Sequence, residues 1–185
     1  GRAHRAWPVA DAAAPEPGAR VSSPTVRSAA PTSAPRRWPV YAWGLWDWGS
    51  AAFNAVITTF VFSVYLTSDD FGPGASAKLG WALAAAGVLV AVFAPITGQR
   101  ADRSGRRTWW LAVNTGLVIA ASAGMFFVRP SPDYLWLGLA LLAAGNVFFE
   151  FASVNYNAML PEISTPATVG RVSGLGWGLG YLGGI

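Results

Sequence analysis

Gly98–Arg107 reads GQRADRSGRR, ten residues with four arginines and one aspartate, set between two apolar segments. The segment before it, 79–97, and the one after it, 108–128, carry no charged side chain. Each is about long enough to cross a bilayer, which takes roughly 20 apolar residues. A short basic loop between two such segments predicts a membrane protein. It also predicts an orientation, because arginine and lysine gather on the cytoplasmic side.

The whole composition agrees. The chain has 185 residues, 53% hydrophobic and only 12% charged, against about 25% charged in an ordinary soluble domain. The net charge of +4 does not make it a nucleic-acid binder. Its positive charges sit in an N-terminal tail and one tight loop, not on a folded basic face. Without cysteine there is no disulfide framework and no thiolate metal site. The single histidine, His4, lies in the tail, which excludes histidine-based catalysis and a histidine-bound metal in the membrane part.

Residues 1–40 are rich in Ala, Pro, Ser and Arg without apolar periodicity. Such a segment cannot bury a core and is expected to be a disordered cytoplasmic tail. A transit peptide or non-native upstream sequence would have a similar composition; a secretory leader would not, since no apolar core precedes a cleavage site. Five spans are expected after it, over about 41–66, 79–97, 109–128, 134–160 and 173–185. Pro95 is expected near the end of the second span and Pro161 to end the fourth. The chain opens on Gly1 and stops at Ile185 inside an apolar run, so a fragment is expected.

Eleven of the thirteen basic residues fall on the tail's side of these spans, and only Lys78 and Arg129 on the other. The N-terminus is therefore expected in the cytoplasm. Trp43, Trp46, Trp81, Trp109, Trp110, Trp136 and Trp177 fall near span ends, where interfacial anchors belong.

Polar residues inside the spans form two stripes. Helical offsets of about 3, 4, 7 and 11 share one face. Asp47, Ser50, Asn54 and Thr58 follow that spacing in the first span, and Asn146, Glu150, Ser153 and Asn157 in the fourth. Lipid cannot satisfy such groups, so both stripes must face protein or water. Helices one and four are thus expected to line a common cavity. Glu150 is the sharpest of these residues, since a mid-span acid costs about 2.5–3.5 kcal/mol on insertion scales. It reads as a protonatable site or a contact to a cationic group. The structural alternative is a protonated acid bonded to a neighbouring helix, with Asn114 as partner. Asp47, nearer the interface, reads either as a cavity group or as a solvated acid. Asn155 points off the stripe and is expected to join helices. In the fifth span Gly176, Gly180 and Gly184 recur every four residues, which fits close helix packing or a hinge.

The pattern Gly98-x-x-x-Asp102-Arg103-x-Gly105-Arg106-Arg107 resembles the loop between helices two and three of the major facilitator superfamily. LWDWGSAAFNAVITTFVFSVY and YNAMLPEISTPATVGRVSGLGWGLGYLGGI are similar to helix one and the helix four–five region of one branch. That branch is related to the autophagy-associated vacuolar amino-acid effluxer and has many bacterial members. The resemblance covers residues 41–185. It implies an all-α membrane protein, the first four and a half helices of a bundle of two six-helix halves that works by alternating access. Helices one and four of each half would line the cavity. Asp102 would meet a helix terminus of the other half. Arg103, Arg106 and Arg107 would surround it and favour anionic headgroups. The chain departs from proton-coupled drug exporters of the superfamily, which carry an arginine in helix four and Gly-Pro in helix five. Here the fourth span has no arginine, and Tyr181 follows Gly180.

The expected function is a secondary-active permease in the cell membrane for small solutes, with amino-acid efflux implied by the branch. Its partners would be the substrate, the bilayer, protons as coupling ion and the remaining helices of the same chain; no cofactor or metal is expected. The rival is a truncated, non-transporting membrane protein that only associates with partner helices. An enzyme is not expected, since Asp47 and Glu150 lie on different helices without metal-ligand spacing.

Overall fold

The computed structural model describes residues 38–185. The disordered tail expected over 1–40 therefore lies, for residues 1–37, outside the described residues. Residues 38–40 are already helical.

Every regular element among the described residues is helical. Helix α1 runs over Trp38–Leu66, as α-helix at Trp38–Ala51, π-helix at Ala52–Val61 and α-helix again at Phe62–Leu66. Helix α2 spans Ala75–Ser104, α3 Arg107–Met125 and α4 Leu135–Ala158. A short α5, Leu160–Ile163, leads to α6, Val169–Gly183. Three stretches, Trp38–Leu66, Ala75–Ser104 and Pro132–Ile163, are helical, long and apolar enough to cross a membrane. Helices α3 and α6, at 19 and 15 residues, are not among them.

Three boundary expectations change. The basic stretch is mostly not a loop, because α2 continues to Ser104 and α3 begins at Arg107. Only Gly105 and Arg106 turn the chain. Pro95 lies inside α2 and does not end it. Proline forfeits one backbone bond, and a packed membrane helix tolerates that loss. Pro161 likewise occupies the first turn of α5, where its missing N–H costs nothing; α4 has already ended at Ala158.

Helix α4 is the hub. It packs along both α2 and α3, while α1 lies along α6. Small residues permit the α1–α4 contact. A Cβ on Gly138 would come within 2.5 Å of Leu66, and one on Gly145 within 2.8 Å of Phe53. Leu66, Leu142, Leu135, Leu139 and Phe71 are almost fully buried there. Outward-facing Phe60, Val64, Trp81, Val88 and Ile119 are all more than 60% exposed. So large an apolar exterior suits a bilayer, not water.

Candidate functional site

Helices α1, α4 and α6 line an open cavity of about 710 Å³, within the size range of small-molecule sites, about 300–1,000 Å³. Six of the eight stripe residues line it: Asp47, Ser50 and Asn54 from α1, and Glu150, Ser153 and Asn157 from α4. The other two do not.

Thr58 leaves the stripe because the helix changes type. A π-helix bonds i to i+5 and turns less per residue than an α-helix, so a stripe drawn with α-helical spacing drifts off its face. The hydroxyls record that register. Thr58 donates to the Phe53 carbonyl at 3.2 Å, Thr59 to Asn54 at 3.0 Å, and Ser63 to Thr58, each five residues back. Asn146 lies one turn beyond Glu150. At that level the Phe53 ring sits on Gly145, with its centroid 5.7 Å from that of Phe149, and apolar packing takes up the space.

Several residues in the cavity wall, or packed directly behind it as Trp46 is, were not anticipated. Trp43 and Trp46, expected as interfacial anchors, face inward. Their rings stack on Tyr156 with centroids 4.2 and 4.5 Å away. The Trp43 indole donates to the Tyr156 carbonyl at 3.0 Å, and the Trp46 indole to the Thr115 hydroxyl at 3.0 Å. Trp43 was legible, since it precedes Asp47 by four residues on the same face. Tyr156 falls off the α4 stripe and was not. Trp177 and Tyr181 of α6 complete the aromatic lining.

The α6 glycines serve close approach. A Cβ on Gly176 would meet Trp43 at 2.5 Å and the Tyr156 hydroxyl at 2.9 Å. One on Gly180 would meet the Asp47 carboxylate at 2.5 Å, and one on Gly183 the Trp48 carbonyl oxygen at 1.9 Å. Asn114 and Asn155 are buried, but each amide bonds a carbonyl four residues back on its own helix, Trp110 and Phe151, at 2.8 Å. Asn114 is therefore not seen partnering Glu150, and Asn155 makes no bond between helices.

The basic motif forms a second cluster where α2, α3, α4 and α5 end. Gly105 adopts φ +63°, a left-handed cap that only glycine takes without strain, and its N–H closes onto the Asp102 carbonyl at 3.2 Å. Gly98 faces Val154 of α4, which a Cβ would approach to 3.2 Å. Arg107 gathers three acceptors: Asp102 at 2.7 Å, the Ala158 carbonyl at 2.8 Å and Glu162 at 2.6 Å. The bond to Asp102, with Glu162 adding to it, holds the guanidinium above its ordinary pKa. Arg106 lies 4.9 Å over the Trp109 ring. Among the described residues Arg103 and Arg106 form no ion pair. Glu162 was missed. Its signal was an acid just past the fourth span, on the side of the basic motif.

Residues 6–185 match the family described as Major Facilitator Superfamily. The uncharacterized MFS-type transporter YxiO of Bacillus subtilis (strain 168) is 31% identical over 147 residues, 77% of this chain and 34% of that protein. The chain thus spans about a third of the length of the curated relative it matches. No solved structure matches the chain.

Proposed function

The chain belongs to the Major Facilitator Superfamily, and on that premise we propose that it forms part of a secondary-active transporter working by alternating access. The observation that supports this reading is the convergence of Asp47, Ser50, Asn54, Glu150, Ser153 and Asn157 on one cavity. Polar groups that are costly in a bilayer are kept together only where they serve a path or a site. We place the protein in the cell membrane with its N-terminus in the cytoplasm, as the arginine distribution favours. The proposed direction is efflux, with amino acids in the solute class, on the resemblance to the amino-acid-effluxer branch. Glu150 is the proposed proton-coupling group. Asp102 is proposed to meet a helix terminus of the transporter's second half, held in place by Arg107.

The test uses the full-length gene product in proteoliposomes, with counterflow of a panel of amino acids and organic amines across a pH gradient. Flux above empty liposomes is expected. Glu150→Gln is expected to remove its pH dependence. Unchanged pH-dependent flux in that variant would sink the coupling role, and absence of flux for the whole panel would count against transport.

A further inference from the structure

We infer that the cavity between α1, α4 and α6 is built for an organic cation, an ammonium carried on an apolar body. The inference rests on the transport reading and puts an organic cation in place of its amino-acid solute class. Charge gives the first argument. Among the described residues, Asp47 and Glu150 are the charged side chains that line the cavity, and no lysine or arginine lines it. Neither carboxylate pairs with a cation among the described residues. Two acids facing one low-dielectric space repel an anion. They leave the carboxylate of a zwitterion without a cationic partner on the described walls, and they attract a cation.

The second argument is independent of the acids. Tyr156 is only 5% exposed and lines the cavity, yet its hydroxyl has no hydrogen-bond partner among the described residues. A buried hydroxyl without a partner costs about 1–3 kcal/mol, and a ligand N–H is a donor that its oxygen can accept. The hydroxyl sits against Gly176 and the Asp47 carboxylate against Gly180, so one turn of α6 separates the two acceptors. Both glycines lack the Cβ that would overlap them. The third argument is the aromatic wall of Trp177 and Tyr181, whose ring faces attract ammonium groups. The acids and the aromatic faces together select positive charge, and the Tyr156 hydroxyl adds a polar contact that a ligand N–H can use.

The test is equilibrium binding to the full-length gene product in lipid nanodiscs, with four probes sharing a phenyl group. These are benzyltrimethylammonium and benzylamine as cations, phenylalanine as zwitterion and 3-phenylpropionate as anion. Both cations are expected to bind at least about tenfold tighter than phenylalanine and the anion. Asp47→Asn with Glu150→Gln is expected to weaken both cations by about tenfold or more. Tyr156→Phe is expected to weaken benzylamine, which has N–H donors, and to spare benzyltrimethylammonium, which has none. Should the double variant misfold, judged by its thermal melt, the single Glu150→Gln variant carries the same expectation. Phenylalanine or 3-phenylpropionate binding as tightly as the cations overturns the inference. So does unchanged cation affinity in the folded variants, or absence of cation binding. Parallel counterflow separates the two readings. Flux of phenylalanine that neither cation inhibits leaves transport standing and removes the cation site. Cation binding without flux of any probe does the reverse.

Discussion

Arg107 shows how much one guanidinium can join. Its fork reaches the carboxylate of Asp102, the last carbonyl of α4 and the carboxylate of Glu162. Both acids are about half exposed, so solvent screens each pair and neither contributes much alone. The expected effect of Arg107→Lys is a loss of about 1 kcal/mol, because an ammonium keeps the charge but not the planar fork. A lowered thermal midpoint in detergent, with a deficit that shrinks as salt rises, would agree; an unchanged midpoint at low salt would not. The partnership was half legible. Asp102 and Arg107 stand in a recognisable pattern, with Gly105 supplying the cap between them. Glu162 is one acid after a proline, and nothing local in the sequence ties it to Arg107 across the fold.

At the scale of the element, α1 carries the main departure from sequence reasoning. Its apolar pattern identifies a helix, and the polar spacing from Asp47 to Asn54 gives the correct face. The change to a π register at Ala52–Val61 has no strong sequence signal beyond Thr58, Thr59 and Ser63, so a stripe drawn at constant pitch overshoots. That difference is testable. Asn54→Ala in the full-length product is expected to cut solute flux about tenfold, a loss of roughly one hydrogen bond to substrate. Thr58→Val, off the cavity, is expected to leave flux within about twofold. Equal losses would restore Thr58 to the stripe. Helix α6 offers a second contrast. Gly183→Ala would drive a methyl into the Trp48 carbonyl, at 1.9 Å, whereas the Cβ of Gly178→Ala meets nothing within 4 Å. The first is expected to destabilise by about 1–3 kcal/mol through forced separation of α1 and α6. The second is expected to stabilise by up to about 1 kcal/mol through helix propensity. Thermal melts of the two variants should therefore move in opposite directions. The four-residue glycine repeat was readable as a packing face; which helix it met, and that Asp47 and Tyr156 would rest on it, depended on tertiary placement.

For the whole molecule, the cavity's incompleteness is itself informative. Helices α1, α4 and α6 supply its walls, yet Trp177 and Tyr181 on its rim are 66% and 71% exposed. A rim of large apolar and aromatic side chains around acidic groups is an arrangement that further protein, not lipid, should cover, because lipid would leave Asp47 and Glu150 facing hydrocarbon. The proposed alternating access needs two bodies that rock about a shared site, and residues 38–185 supply one wall system. Binding and transport should therefore separate. The polypeptide 1–185, reconstituted alone, is expected to give solute flux no greater than that of empty liposomes, while the full-length product gives flux that Glu150→Gln alters. Substantial flux through 1–185 that the same substitution abolished would mean that these helices close a complete pathway by themselves, through self-association. The exposed rim would then be an interface between copies instead of the face awaiting a second half.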